Sequence, residues 1–140
     1  MTQTILLVDD NKTDRYILKR RLEKIADNLI ILEAENGEDA LAAFSEFQAN
    51  RDQGPTGQLR LIVFLDINMP IMDGFGLLEA FHSVGSESDG DAPSVFMFTS
   101  SHREEDKEKS LHWDFVKEYI VKGDLTFDKL KSILCDHQSV

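Results

Sequence analysis

Residues 5–11 read ILLVDDN, in which four apolar residues are followed by two adjacent carboxylates and an amide. A short, continuous apolar run is typical of a strand buried on both faces, as in a parallel sheet. Neighbouring carboxylates repel each other, and each raises the pKa of the other unless a positive charge lies close by. Asp9 and Asp10 are therefore expected either to face open water or to bind a cation.

The run at residues 5–8 is one of five apolar runs, the others covering residues 29–32, 61–65, 95–98 and 119–121. Between them, apolar residues recur at three- and four-residue spacing, which is typical of amphipathic helices. These stripes are Ile17, Leu18, Leu22 and Ile25; Ala40, Leu41, Phe44 and Phe47; Leu77, Leu78 and Phe81; and Phe127, Leu130, Ile133 and Leu134. A further helix, which is polar, brings the number of predicted helices to five. Five strands alternating with five helices predict a doubly wound α/β domain with a parallel sheet and right-handed crossovers.

The polar helix lies at about residues 103–112, where HREEDKEKSLH (102–112) offers Leu111 as its main apolar contact. A helix held by so little packing is a candidate mobile element, and a plain solvated surface helix explains the same pattern equally well. Residues 49–58 and 83–94 are rich in Gly, Ser, Asp and Pro, which predicts two long surface loops.

Composition excludes several classes of protein. A chain of 140 residues predicts one domain, with its core at about residues 4–135. A net charge of −11 argues against nucleic-acid binding, which relies on clustered Lys and Arg. No apolar stretch predicts a membrane span and no secretory signal is recognisable, so we expect a cytoplasmic protein. The single cysteine, Cys135, cannot form an intramolecular disulfide and is expected to be a small core residue.

Polar side chains follow four of the predicted strands, and parallel strands bring their carboxyl ends to one edge of the sheet, where ligands bind. These residues are Asp9 and Asp10, Asp66 and Asn68, Thr99, and Lys122. The three aspartates form a hard-oxygen cluster suited to Mg²⁺. Asp66 is then the candidate nucleophile for a phosphoryl group, whose oxygens Lys122 and the Thr99 hydroxyl would hold opposite the metal.

Four motifs carry a resemblance to a known family: ILLVDDN, FLDINMPIMDG (64–74), FTSS (98–101) and YIVKG (119–123). In order and spacing, over nearly the whole chain, they resemble the receiver domains of two-component response regulators, in particular the stand-alone, chemotaxis-regulator-like ones. The resemblance implies a flavodoxin-like sheet with strand order 2-1-3-4-5. Few residues follow the predicted fifth helix, so we expect either output through a protein partner or a domain that shuttles or drains phosphoryl groups.

The resemblance assigns a role to each residue of the cluster. Asp66 would accept a phosphoryl group from a histidine kinase or phosphotransfer protein. Mg²⁺ would be bound directly by Asp10 and Asp66, through water by Asp9, and by the backbone carbonyl of Asn68. Lys122 would bind the phosphate, and the Thr99 hydroxyl and Tyr119 would act as the switch, with Tyr119 turning inward. Pro70 and Gly74 would shape the adjacent loop.

Phosphorylation would then change the affinity of the face formed by the fourth helix, fifth strand and fifth helix for a downstream protein target. Such a domain is not a conventional enzyme, since it catalyses only its own phosphorylation and dephosphorylation at Asp66. Whether the chain forms a homodimer, how long the phosphoryl group persists and which kinase and target it serves stay open at this stage.

One departure from the family pattern leaves an alternative open. Gly123 follows Lys122 where the family usually has proline. A degenerate receiver that binds proteins without phosphorylation is therefore the alternative. Two other classes fail on their required residues. An EF-hand loop would need glycine in place of Asp14 and glutamate in place of Arg20, and a haloacid-dehalogenase-type phosphohydrolase would need an acid in place of Asn68.

Overall fold

Five parallel strands form the sheet of the computed structural model, which describes residues 3–51, 60–87 and 92–138. The strand order is β2-β1-β3-β4-β5, which confirms the predicted fold class and order. The strands are β1 (Gln3–Val8), β2 (Leu29–Ala34), β3 (Ile62–Leu65), β4 (Ser94–Thr99) and β5 (Val116–Val121). Strand β5 begins three residues before the apolar run 119–121 because it lies at the sheet edge, where Lys117 is exposed to solvent.

Five helices connect and follow the strands, as the sequence predicted. They are α1 (Lys12–Glu23), α2 (Gly37–Arg51), α3 (Gly74–Glu87), α4 (Glu104–Leu111) and α5 (Phe127–Gln138), and a short 3-10 turn covers Lys122–Asp124. Within the described ranges, no helix has both the length and the apolar character that crossing a membrane requires.

Alternate side chains of β1 enter two apolar cores, one on each face of the sheet, because successive residues of a strand point to opposite faces. Leu6 belongs to one core, together with Phe44 and other side chains of α2 and α3. Leu7 belongs to the other, with Leu22 of α1 and Leu130 of α5. The continuous apolar runs in the sequence therefore reflect helices on both faces of the sheet.

The structure corrects four details of the sequence reading. Ile17 and Phe127 are exposed although they belong to predicted apolar stripes, because they lie at the margin of their helix's buried face. Cys135 is also exposed, since it follows the buried pair Ile133 and Leu134 around α5. In α4, Leu111 is 41% exposed and the buried position is its neighbour, Ser110.

The two predicted loops are shorter than expected at their start. Helix α2 continues to Arg51 and α3 to Glu87, so the first residues of each predicted loop are helical. The extension of α2 includes Ala49 and Arg51, which are both good helix formers. Residues 52–59 and 88–91 lie outside the described residues.

Gly74 lies directly beneath the loop that follows β3. Its N–H donates a hydrogen bond to the Ile67 carbonyl at 2.8 Å. A Cβ atom at this position would lie 2.5 Å from the Asp66 carbonyl oxygen and 2.9 Å from the Ile67 Cα. The close backbone approach expected at Gly74 is therefore present. At Gly123, by contrast, an added Cβ would have no neighbour within 4 Å.

We predict that Gly74→Ala destabilises the protein whereas Gly123→Ala does not. The new methyl group at position 74 must displace backbone, which costs about 1–3 kcal/mol in a well-packed site. The methyl group at position 123 enters open space, and the loss of glycine's freedom in the unfolded chain favours folding slightly. Urea unfolding of both variants measures the difference, and equal stability of the two would contradict this account of the packing.

Candidate functional site

The carboxyl ends of four adjacent strands converge on one edge of the sheet. Asp9 follows β1, Asp66 follows β3, Thr99 is the last residue of β4 and Lys122 follows β5. The polar residues that follow the strands therefore lie at one edge of the sheet, as predicted, because the strand order places β1, β3, β4 and β5 side by side.

Three carboxylates form a cluster at this edge. Asp9, Asp10 and Asp66 each offer an oxygen atom, and these atoms all lie within 4.8 Å of one another. Asp9 and Asp66 are buried whereas Asp10 is exposed, which gives the cluster one open side. Hard carboxylate oxygens at this spacing fit a small divalent cation that keeps part of its water shell.

The Lys122 ammonium contacts three carboxylates at once. Its Nζ lies 2.7 Å from Asp9 Oδ2, 2.8 Å from Asp14 Oδ2 and 3.3 Å from Asp66 Oδ2. Burial by itself lowers the pKa of Lys122, but the hydrogen bonds to Asp14 and Asp9 and the charge of Asp66 outweigh it and hold the pKa above its usual value. The side chain is therefore a permanent cation in the pocket.

Backbone amides hold the two buried carboxylates in place. Asp9 Oδ1 accepts a hydrogen bond from the Asn11 N–H at 2.9 Å, and Asp66 Oδ1 accepts one from the Ile67 N–H at 2.8 Å. Burial raises the pKa of Asp9, and the nearby charge of Asp66 acts in the same direction, while the bonds from Lys122 and Asn11 oppose it. Asp9 is therefore a buried carboxylate whose charged form is stabilised by a nearby positive charge.

Two residues of this site were missed from the sequence. Asp14 lies in the first turn of α1, and its N–H donates to the side chain of Asn11, which caps the helix. Arg15 is buried, donates to the carbonyl of Asp9 and pairs with Glu33 of β2 at 3.0 Å. No local sequence signal marks Asp14 as a site residue, because its partner Lys122 lies 108 positions away in the chain.

Thr99 connects the site to α4 and β5 through Ser101. The Thr99 side chain is fully buried, and its Oγ1 accepts a hydrogen bond from the Ser101 N–H at 3.4 Å. The Ser101 hydroxyl donates to the carboxylate of Asp106 in α4 at 2.6 Å, and the Ser101 carbonyl accepts from the Tyr119 hydroxyl at 3.0 Å. Burial raises the pKa of Tyr119, so its hydroxyl stays protonated and able to donate. The sequence analysis included Ser101 in the FTSS motif without predicting these hydrogen bonds, and it gave Asp106 no role.

The loop after β3 is held in an unfavourable conformation. Ile71 has a φ of 67° and is 77% exposed. A β-branched residue in this left-handed region costs roughly 1–2 kcal/mol. The Met72 N–H donates to the Pro70 carbonyl at 2.7 Å, and the Met72 carbonyl accepts from the Gly37 N–H at 2.8 Å, so hydrogen bonds hold the turn. The rigid turn expected at Pro70 is present, and Asn68 in the same loop is exposed.

The turn after Lys122 forms without proline. Residues Lys122–Asp124 form a 3-10 turn, and no peptide bond in the described part of the chain is cis. Lys122 nevertheless reaches Asp66, so Gly123 does not prevent contact between the lysine and the carboxylate.

Comparison with known sequences identifies the family. Residues 5–134 match the response regulator receiver domain. The chain belongs to this family. Receiver domains in general work with a histidine kinase, so a partner of that class follows for this receiver domain too.

Individual relatives agree with this assignment. Protein PilH of Pseudomonas aeruginosa is 33% identical over 103 residues, which cover 74% of this chain and 72% of PilH. A two-component response regulator from Cytophaga hutchinsonii superimposes with a TM-score of 0.79 at 22% identity, covering 99% of this receiver domain and 98% of that chain. The Mn²⁺-bound form of response regulator Rcp1 gives a TM-score of 0.69 at 25% identity, covering 99% and 96%.

We predict that Lys122→Met destabilises this receiver domain at neutral pH. Loss of the ammonium leaves the carboxylates of Asp9, Asp14 and Asp66 to repel one another, at a cost of about 1–3 kcal/mol for a partly exposed group. The pKa of Asp9 then rises further, so the folded state binds protons more readily than the unfolded state and stability recovers as the pH falls. Urea unfolding at pH 7 and pH 5 measures both effects.

Lys129→Met is the matched control, because Lys129 pairs with Glu118 on the surface. Removal of that exposed pair should change the free energy of unfolding by less than about 1 kcal/mol. A Lys122 variant that is no less stable than this control would show that the cation does not hold the pocket together.

Proposed function

We propose that this receiver domain accepts a phosphoryl group on Asp66 from a histidine kinase or a phosphotransfer protein, in a reaction that depends on Mg²⁺. The observation that carries the proposal is the position of the buried Asp66 carboxylate, which lies within the three-carboxylate cluster and 3.3 Å from the Lys122 ammonium. A carboxylate with a purely structural role would be satisfied by the Lys122 ammonium alone and would not need two further carboxylates beside it.

In the proposed reaction, a carboxylate oxygen of Asp66 attacks the phosphorus of a phosphohistidine. The P–O bond forms as the P–N bond breaks, and the imidazole leaves with the bonding electrons. The Ile67 N–H fixes the orientation of the carboxylate, and Lys122 neutralises charge on the phosphoryl oxygens. Hydrolysis of the resulting aspartyl phosphate by water would return the domain to its resting state.

Mg²⁺ is the cation that we propose for the carboxylate cluster. When bound, it would offset the repulsion between Asp66 and the incoming phosphoryl group. Asp10 and Asp66 would hold it directly, Asp9 through water and Asn68 through its carbonyl. Exposed Asp10 provides the side from which a hydrated ion can enter.

The hydrogen bonds of Ser101 support a route from Asp66 to the partner face. When the Thr99 hydroxyl turns toward the phosphoryl group, its oxygen would no longer accept the hydrogen bond from the Ser101 N–H. Ser101 also holds Tyr119 and Asp106, so its movement would release Tyr119 to turn inward and shift α4. A groove of about 510 Å³ between α4, β5 and α5, lined by Tyr119, Lys107 and Lys129 among others, would change shape. We propose this face as the site for a downstream protein target.

We further propose that residues 1–140 form a single receiver domain. The family match over residues 5–134 supports this. A domain that binds its target without phosphorylation is the alternative, and the contact between Lys122 and Asp66 disfavours it.

The proposal predicts one phosphoryl adduct after incubation with acetyl phosphate and Mg²⁺, measured as intact mass. Asp66→Asn should remove the adduct, since the amide is not a nucleophile of this kind. Asp73→Asn is the matched control in the same loop, because the Asp73 side chain accepts the Gly76 N–H at the start of α3 and does not belong to the described carboxylate cluster. It should retain the adduct.

An adduct on Asp66→Asn, or an equal yield without Mg²⁺, would contradict the proposed chemistry. No adduct on the natural protein, in conditions where another receiver domain is modified and decay is excluded, would favour the phosphorylation-independent alternative.

We also predict that α4 is the mobile element of the switch. Among its eight described residues only Ser110 is buried, and its N-cap, Arg103, makes no side-chain capping bond. Amide hydrogen exchange in α4 should therefore be faster than in β1 and β3, and phosphorylation should change it. Thr99→Ala should still accept the phosphoryl group but lose the change in α4. Exchange in α4 as slow as in the central strands would contradict this prediction.

A further inference from the structure

Asp14 is a charged residue of the pocket for which the proposed phosphorylation has no role. Its Oδ2 lies 2.8 Å from the Lys122 ammonium, as close as the Asp9 contact to within 0.1 Å. Asp14 does not belong to the cluster of Asp9, Asp10 and Asp66, and its side chain is 34% exposed. It is thus a partner of Lys122 that lies outside the carboxylate cluster that would bind a cation.

Hydrogen bonds hold the start of α1 around Asp14. The Asp14 N–H donates to Asn11 Oδ1 at 3.1 Å within the helix cap. The next residue, Arg15, is fixed by the Asp9 carbonyl and by Glu33. A carboxylate in the first turn also interacts favourably with the helix N-terminus. Asp14 therefore presents its charge from a fixed position.

Packing of a side chain at position 123 does not help to fix the lysine. Open space surrounds Gly123, so no side chain at that position packs the turn against the pocket. The position of the Lys122 ammonium depends mainly on its carboxylate partners. Two of these, Asp9 and Asp66, belong to the cluster that a divalent cation would occupy. A cation there repels the ammonium and competes for both of these partners.

We propose that Asp14 is a positioning residue for Lys122. It holds the ammonium at the rim of the pocket when a divalent cation takes over the carboxylates of Asp9 and Asp66. The cation then binds more tightly, because the displaced ammonium keeps a partner, and the lysine stays within reach of a phosphoryl group on Asp66. This role rests on the proposed function in so far as it assigns Mg²⁺ to the cluster.

The test is a double-mutant cycle on Mg²⁺ affinity, measured by isothermal titration calorimetry with the unphosphorylated protein at one pH. The four proteins are the natural chain, Asp14→Asn, Lys122→Met and the double variant. We expect Asp14→Asn to weaken Mg²⁺ binding by about three- to fivefold when Lys122 is present, the scale of one partly exposed ion pair. In the Lys122→Met background the same substitution should change the affinity by less than about twofold, since only long-range charge remains.

Two further variants separate positioning from structure and from net charge. Asp14→Glu should restore most of the affinity, and Glu23→Gln at the other end of α1 should leave it unchanged. Urea unfolding checks that each variant is folded. An equal loss of affinity in both Lys122 backgrounds, no loss in either, or tighter binding by Asp14→Asn would overturn the proposal.

The outcome is independent of phosphorylation. If acetyl phosphate does not modify Asp66 but the cycle shows coupling, the proposed function fails and the role of Asp14 toward the cation stands. If Asp66 is phosphorylated but Asp14→Asn and Lys122→Met have additive effects on Mg²⁺ affinity, the proposed role of Asp14 is wrong and the proposed function stands.

Discussion

The contact between the Lys122 ammonium and the carboxylates of Asp9, Asp14 and Asp66 is the interaction on which the pocket depends. Two of these carboxylates are buried or nearly so, where charge repulsion is strong. A single cation from the end of β5 balances them. The same balance leaves the site responsive, because any second cation must share those carboxylates with the lysine.

The parallel sheet makes this contact available. Strand β1 lies next to β3, so Asp9 and Asp66 emerge side by side, and β4 and β5 follow in order. The lysine extends past Phe98, at the end of β4, with its Nζ 6.0 Å from the ring centroid. Gly74 lets α3 start directly beneath Asp66. The chemistry of the site is therefore a consequence of strand order and of one close backbone approach.

The hydrogen bonds of Ser101 give the site a connection to the surface. Its N–H, carbonyl and hydroxyl reach Thr99, Tyr119 and Asp106, which lie in or next to three different elements. Helix α4 has little buried apolar surface of its own, so these polar contacts form a large share of what holds it. A change at Thr99 is thereby coupled to a helix of which only Ser110 is buried.

The sequence by itself determined the five strands, the helices between them and the residues at the strand ends, because buried parallel strands are continuous apolar runs and Asp9, Asp66, Thr99 and Lys122 follow them directly. Only the tertiary structure decided which groups touch. Asp14 and Lys122 are separated by 108 positions, and Arg15 reaches Glu33 across two elements. Such contacts depend on how α1 packs against β1 and β2 and on where the turn after β5 lies at the same edge of the sheet, and a local pattern of residues carries no information about that geometry.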